Sequence, residues 1–189
     1  ARQNVKRENS LGAAAIATGR TMPAMHLAPS ATLLALASRD PLKGQKAAQE
    51  HGIARVHASY DALLADPDID AVYVPLPNQL HFEWALRALQ AGKHVFCQKP
   101  LTLTIDEGKL LCKVVKETGR VFQVGTQQRS ENNNMFLKAV AICQEGRLGK
   151  IQKVTCAIGG APRGKTFKKE MPPEGLNWDL WLGQAPLVD

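Results

Sequence analysis

Short apolar runs of strand length alternate with amphipathic stretches of helix length along most of this chain. Strands that are buried on both faces of a sheet are nearly continuously apolar, and helices between them favour parallel pairing. The sequence therefore predicts an α/β fold built on a doubly wound parallel sheet. The predicted strands are residues 31–37, 56–59, 70–75, 94–97 and 121–124.

Helix start and stop signals lie between these strands. Asp40 followed by Pro41 is typical of a helix N-terminus, and Gly52 is suited to end that helix. Residues 104–107, Thr-Ile-Asp-Glu, form a capping box for another helix, which Gly119 would end. Strand pattern and helix punctuation thus agree on the same fold.

The last third of the chain follows a different pattern. We predict a helix over residues 135–145 and a strand over residues 149–158, where something new begins. About forty residues are too few for a second domain of the usual size. We therefore predict a first domain at residues 1–130. Residues 131–189 would be the start of an α/β substrate domain that is cut short or completed by another chain.

Composition limits the partners and the location of the protein. No apolar run approaches the roughly 20 residues that cross a bilayer, and the polar N-terminus is unlike a secretory signal. We therefore expect a cytoplasmic protein without a membrane partner. The net charge is +7, but aromatic residues are only 5% and the basic residues are dispersed. We expect no nucleic-acid partner, whereas a basic surface suits an anionic dinucleotide.

The cysteines and histidines do not indicate a metal site. The four cysteines are widely spaced without a CxxC pair, and the five histidines lack metal-ligand spacing. Cys97 and Cys112 lie in apolar runs, where a free thiol packs as a small hydrophobic group. We expect both to be buried and reduced.

Residues 11–17, Leu-Gly-Ala-Ala-Ala-Ile-Ala, form a degenerate version of the glycine-rich turn of Rossmann folds. Small residues let the backbone approach a pyrophosphate, while the free amides of the next helix point at its negative charge. An alanine-rich helix start gives the same pattern without any ligand, so both interpretations stay open. The predicted dinucleotide contacts here are Gly12, Ala14, Ala15, Ile16 and Ala17.

The residues before this turn conflict with a buried first strand. A Rossmann first strand lies at the centre of the sheet, but residues 5–10 read Val-Lys-Arg-Glu-Asn-Ser. Burying unpaired charges costs about several kcal/mol each. The first strand is therefore expected to be distorted, exposed or absent.

Ser38 and Arg39 end the predicted second strand, where NAD-binding proteins usually carry an acidic residue for the ribose 2′-hydroxyl. A hydroxyl and a guanidinium suit a 2′-phosphate instead, because Arg forms charge-assisted bonds with phosphate oxygens. Lys43 adds positive charge one helical turn later. These residues predict a preference for NADP. The alternative is a surface ion pair between Arg39 and Asp40.

Residues 70–81 and 91–100 are similar to the glucose–fructose oxidoreductase / inositol dehydrogenase (Gfo/Idh/MocA) family, and the similarity runs from Gly12 to Asp189. The resemblance implies a Rossmann domain followed by an α/β domain with a large open sheet. It also implies an oxidoreductase that uses NADP or NAD and acts by hydride transfer on a small sugar- or polyol-like substrate.

The same resemblance assigns roles to loop residues. Lys99 matches the lysine of the family's Glu-Lys-Pro motif and is the predicted catalytic or substrate-orienting group. Gln98 replaces the glutamate of that motif and removes a negative charge. The cofactor contacts implied by the resemblance are Pro75, Leu76, Asn78, His81, Gln98, Lys99, Gln127 and Arg129.

Two other functions remain open at this point. A non-catalytic dinucleotide-binding fragment or sensor fits the short second domain and the polar first strand. A fold that binds nothing would follow if residues 12–17 were not positioned by a real strand. An exposed apolar patch around Trp178 and Trp181 favours self-association, so we expect a homo-oligomer.

Overall fold

The computed structural model describes residues 6–127, 132–157, 159, 170–182 and 185. The chain divides into two compact units, Ala1–Glu145 and Gly146–Asp189. The domain boundary predicted after residue 130 stays a prediction.

Six strands of the first unit form a single parallel sheet. They are β1 (Lys6–Leu11), β2 (Ala31–Ala37), β3 (Arg55–His57), β4 (Ala71–Val74), β5 (His94–Gln98) and β6 (Phe122–Gly125). Their spatial order is β3-β2-β1-β4-β5-β6, with every neighbouring pair parallel. This is the strand order of dinucleotide-binding folds, in which the chain reverses direction across the sheet next to β1. The predicted doubly wound sheet is confirmed.

Helices alternate with the strands and continue after the last of them. They are a π-helix (Ala17–Thr21), α1 (Met22–Leu27), α2 (Pro41–Glu50), α3 (Tyr60–Ala65), a 3-10 turn (Asn78–Leu80), α4 (His81–Gln90), α5 (Ile105–Thr118), a 3-10 turn (Asn132–Asn134), α6 (Met135–Gln144) and α7 (Trp178–Leu182). The Asp40 carboxylate caps α2 by accepting the Lys43 N–H at 3.1 Å. Thr104 and Glu107 form the predicted capping box of α5, and Gly119 ends that helix with a φ of 63°.

Two hydrophobic cores lie on opposite faces of the sheet. One core joins the sheet to α3, α4 and α5 and contains Val72, Leu89 and Leu111. The other joins it to α1 and α2 and contains Met22 and Leu36. Each large apolar side chain that is fully buried contributes roughly 1.5–3 kcal/mol, so the two cores hold the strand ends in fixed positions.

The polar first strand is present at the centre of the sheet. Its pairing with β2 shifts register after Glu8, so the strand is distorted, as one of the three expectations stated. Asn9 is fully buried; its Oδ1 accepts the Ala35 N–H at 2.5 Å and its Nδ2 donates to Ala71 O at 3.4 Å. The side chain therefore bridges both neighbouring strands where the backbone ladder is irregular. The side chains of residues 6–8 lie outside the described residues.

Two expectations are wrong. Residues 151–157 form no strand, although a strand was predicted over residues 149–158, and Ile158 lies outside the described residues. Val154 is 76% exposed there, and a strand without a neighbour leaves its backbone groups unpaired. Cys112 is exposed, because it lies on the outer side of α5, opposite the buried Leu111 and Val114.

Cys97, by contrast, is buried in β5 as expected. Its removal from water raises the pKa of the thiol to about 12. Cys112, Cys143 and Cys156 carry exposed free thiols. Among the described residues, no helix has the length and apolar character needed to cross a membrane.

Candidate functional site

Gly12 forms a tight turn directly after β1. It is buried with a φ of +111°, a conformation that residues with a side chain rarely adopt. A Cβ atom here would lie 3.2 Å from Leu76 Cδ2. The Gly12 N–H donates to Ala37 O at 2.7 Å, which ties the turn to the end of β2. The position therefore needs glycine, both for its backbone angle and for the close approach of Leu76.

A helical segment begins at residue 15 and continues to residue 27, and its second turn is the π-helix. The first amides of a helix lack partners within the helix, so this end can receive an anion. Ala14 and Ile16 are half-buried and Ala15 is exposed. Ala17 is fully buried in the core and its N–H donates to Ala14 O at 2.9 Å, so its side chain supports the turn from behind.

A first groove opens at the carboxyl ends of β1, β2 and β4, with an empty volume of about 570 Å³. It brings together many of the residues predicted to bind the cofactor. These are Gly12, Ala14, Ser38, Arg39, Lys43, Pro75 and Leu76.

Positive charge dominates the rim of this first groove. Arg39 and Lys43 are exposed, and among the described residues Arg39 has no ion-pair partner. The alternative of an Arg39–Asp40 pair is therefore not what the structure contains, since Asp40 faces the backbone of α2 instead. Ser38 Oγ accepts the Asp40 N–H at 3.3 Å, which leaves the Ser38 hydroxyl proton available to a ligand.

Aromatic residues extend the first groove in a way that the sequence did not reveal. Tyr60 lines it and packs edge-on against Trp84 with ring centroids 4.9 Å apart. A neighbouring cavity is lined by Arg39, Tyr60, Leu80 and Trp84. Tyr60 is the first residue of α3, and nothing in the local sequence pattern indicates that its ring faces the groove.

A second groove lies beside the ends of β5 and β6, with an empty volume of about 830 Å³. It contains three other predicted residues, Ile16, Gln98 and Gln127. Arg20 and Thr21 also line it, and neither was predicted. The structure thus divides the predicted contacts between two grooves.

A buried tyrosine organises the floor of the second groove. Gln98 Nε2 donates to Tyr73 Oη at 2.7 Å, and Thr21 Oγ1 donates to it at 3.0 Å. Tyr73 is 1% exposed and stacks on Phe96 with centroids 5.2 Å apart. Burial raises the pKa of Tyr73 above its ordinary value, so the phenol stays neutral and can orient the Gln98 amide.

The remaining predicted residues are placed as follows. Lys99 and Asn78 are exposed and are not among the described residues that line either groove. His81 is 1% exposed, with both ring nitrogens close to backbone carbonyls. Arg129 lies outside the described residues. The roles predicted for these four residues stay predictions.

The sequence pattern of a known family matches residues 11–126, a range that contains β2 to β6 and the residues that line the first groove. That family is described as the oxidoreductase family with an NAD-binding Rossmann fold. This chain belongs to the Gfo/Idh/MocA family. The resemblance noted in residues 70–81 and 91–100 is thereby confirmed, and relatives of this family are oxidoreductases and dehydrogenases.

Several Gfo/Idh/MocA members resemble the chain individually. A dTDP-3,4-didehydro-2,6-dideoxy-α-D-glucose 3-reductase of Actinomadura kijaniata is 35% identical over 100% of this chain and 54% of its own length. A scyllo-inositol 2-dehydrogenase (NAD⁺) of Bacillus subtilis is 40% identical over 59% of this chain and 32% of its own length. The chain spans about half the length of the curated relatives that it matches over nearly its whole sequence.

Solved structures of the family share this fold. A crystal structure of a 3-ketoreductase from Actinomadura kijaniata, in complex with NADP and TDP-benzene, superposes with a TM-score of 0.69 at 35% identity. The superposition covers 76% of this chain and 43% of that one. The two chains therefore agree in sequence and in backbone over the same region.

Proposed function

We propose that this chain provides the dinucleotide-binding domain of an NADP-preferring oxidoreductase that acts on a sugar-like substrate. The observation that supports this most is the first groove, where the Gly12 turn and two exposed cations, Arg39 and Lys43, lie together at the carboxyl ends of parallel strands. Ligands of open α/β sheets bind at this edge, next to the point where strand order reverses.

The groove fits a dinucleotide part by part. The Gly12 turn leaves no side chain between the backbone and a pyrophosphate, and the helix that starts at residue 15 directs its free amides there. Ser38 and Arg39 offer a hydroxyl and a guanidinium to a 2′-phosphate. Lys43, exposed at the start of α2, adds a second positive charge. When bound, the nicotinamide ring supplies the hydride chemistry.

Family membership leaves the choice of nucleotide open. One relative was crystallised with NADP, whereas another is named for NAD⁺. The NADP preference therefore depends on this chain's own residues. Arg39 is the strongest of them, because it is exposed on the groove rim and holds no carboxylate partner among the described residues.

The substrate class is inferred from the relatives. Their names describe a deoxysugar nucleotide and an inositol, both of which carry hydroxyl or carbonyl groups on a ring. We infer that the substrate here is also a hydroxylated ring. Lys99, directly after β5, would donate a hydrogen bond to the reacting oxygen and orient it, because an ammonium group carries three donors and no acceptor.

Titration of the chain with NADPH and NADH, followed by nicotinamide fluorescence, tests this function. Arg39→Ala should raise the dissociation constant of NADPH by about 10- to 100-fold, the effect of losing charge-assisted bonds to a phosphate. The constant for NADH should change by less than about threefold, since that nucleotide has no 2′-phosphate. Lys46→Ala is the matched control, because Lys46 is exposed on α2, which follows Arg39 in the chain, and is paired with Glu50.

Each alternative outcome is decisive. Tighter binding of NADH than of NADPH would refute the NADP preference while keeping the dinucleotide site. Failure to bind either nucleotide would refute the proposed function for this chain.

A further inference from the structure

The imidazole of His81 connects two loops that follow adjacent strands. His81 is the first residue of α4, and its ring is buried between the loops. Its Nε2 lies 2.7 Å from the carbonyl oxygen of Leu76, after β4. Its Nδ1 lies 2.6 Å from the carbonyl oxygen of Pro100, after β5. One ring therefore reaches the backbone of both loops.

Hydrogen-bond chemistry makes this contact directional. A carbonyl oxygen only accepts, so each bond forms through a proton on the ring nitrogen that faces it. A neutral imidazole carries one N–H and makes one of the two bonds. An imidazolium carries an N–H on each nitrogen and makes both. Because the ring is 1% exposed, water does not replace a bond that is lost.

Each loop carries a residue of the proposed site. The Leu76 side chain packs against the Gly12 turn, where an added Cβ would lie 3.2 Å from it. Pro100 follows Lys99 directly in the chain. The contacts thus run from the Gly12 turn through Leu76, the His81 ring and Pro100 to the backbone next to Lys99.

We propose that His81 is a positioning residue that fixes the Lys99 loop relative to the Gly12 turn and the first groove. It does so without touching a ligand, since both ring nitrogens face the backbone of the protein. The coupling of the loops is independent of the proposed function; its effect on cofactor affinity rests on that function.

Lys93 offers a matched control at the other edge of the sheet. Its ammonium group is also buried, and it also donates to two backbone carbonyls, Asp66 O at 2.8 Å and Ile69 O at 2.9 Å. Asp66 and Ile69 precede β4 and Lys93 precedes β5, whereas the loops that His81 joins follow these two strands. A variant of Lys93 therefore removes a similar set of bonds without touching the loops that His81 joins.

Amide hydrogen exchange followed by mass spectrometry tests the coupling in the full chain. His81→Ala should accelerate exchange about tenfold in peptides that cover residues 75–80 and 99–103, because both loops lose their common anchor. Lys93→Met should leave both peptides unchanged and accelerate exchange around residues 66–70 instead. Unchanged exchange in both loops of His81→Ala would overturn the proposal.

Two conservative variants separate the two bonds. The amide nitrogen of Asn reaches the place of Nδ1, and that of Gln reaches the place of Nε2. His81→Asn should therefore protect residues 99–103 while residues 75–80 exchange faster, and His81→Gln should give the reverse. The same exchange pattern in both variants would show that the ring acts as bulk rather than as a connector, and would overturn the proposal.

Cofactor titration gives a second readout. His81→Ala should raise the NADPH dissociation constant about tenfold. Lys93→Met should leave that constant unchanged, even if the Lys93 variant unfolds as easily as the His81 variant. If both variants raised the NADPH dissociation constant equally, His81 would stabilise the fold in general and would not position the Lys99 loop. If the unaltered chain binds neither nucleotide, the proposed function fails, and the exchange pattern still decides the coupling.

Nuclear magnetic resonance of the unaltered chain covers the case in which the variants do not fold. In ¹⁵N-histidine-labelled protein, a slowly exchanging ring N–H should show nuclear Overhauser contacts to protons of residues 76–77 or 100–101. A His81 ring whose protons exchange rapidly with water would contradict the proposal.

Discussion

At each of the two edges of the sheet, one buried side chain contacts two backbone carbonyls, but the charges around it differ. At the carboxyl edge, the buried His81 ring lies between two backbone carbonyls, and exposed Arg39 and Lys43 line the groove nearby. At the amino edge, the buried Lys93 ammonium donates to two carbonyls, and cations beside it meet carboxylates. There Arg55 bonds Asp66 and Asp68 at 2.9 and 2.8 Å.

The difference separates stability from ligand binding. The charge of Arg55 at the amino edge is neutralised by Asp66 and Asp68, so it offers little to an anionic ligand. The cations of the first groove keep their charge directed at solvent, where a phosphate can use it. The sheet therefore has a buried donor at both edges, while Arg39 and Lys43 make the first groove electropositive.

The largest expected effect is at the carboxyl edge. Gly12→Val should weaken NADPH binding by at least about 100-fold, because a side chain at a φ of +111° strains the turn and displaces Leu76. Gly52→Ala is the control, since its φ of +59° carries the backbone cost while no atom lies within 4 Å of the added Cβ. Fluorescence titration of both variants measures the effect. Tight NADPH binding by Gly12→Val would remove the functional difference between the edges.

A smaller effect is expected at the amino edge. Lys93→Met should lower the free energy of unfolding by about 2 kcal/mol, because two carbonyls lose their donor. Urea unfolding measures this change. Lys109→Met, on the surface of α5, should change the free energy by less than about 0.5 kcal/mol. A Lys93 variant as stable as the parent would show that the two carbonyl contacts of Lys93 do not stabilise the amino edge.

The smallest effect is a pH dependence at the amino edge. The pKa of Asp66 lies below its ordinary value, first because the Asp68 N–H donates to its carboxylate at 2.8 Å and also because Arg55 is bonded to it. A carboxyl with a lowered folded-state pKa stabilises the protein above its unfolded pKa, and this stabilisation is lost as the pH falls. Below about pH 4, Asp66→Asn should therefore lose stability less steeply than the parent in urea unfolding. Parallel curves would mean that Asp66 contributes nothing to acid sensitivity.

Local signals accounted for most of the fold. The cap at Asp40 and the capping box at Thr104 and Glu107 need only residues within one helical turn, so the sequence shows them directly. The polar first strand could not be understood in that way. Asn9 finds its partners 26 and 62 positions away, in strands that become neighbours only after folding.

The candidate site shows the same division. Its turn, its cations and the loop after β4 follow from motifs, and the structure gathers them in the first groove. Tyr60 and Tyr73 were not predicted, because each belongs to a segment whose pattern indicates only burial. His81 was identified by resemblance, but its position between two carbonyls depends on how adjacent loops meet. Contacts between distant segments are what the sequence pattern omits.

The buried thiol of Cys97 gives this chain an internal chemical reporter. Alkylating reagents attack the thiolate, which a pKa of about 12 makes scarce at neutral pH, and the side chain is also sealed from solvent. Cys112, Cys143 and Cys156 should accept the reagent at once, because their thiols are exposed. The fourth adduct, on Cys97, then forms only when β5 opens. Its rate of formation therefore measures how often the strand that precedes Lys99 opens.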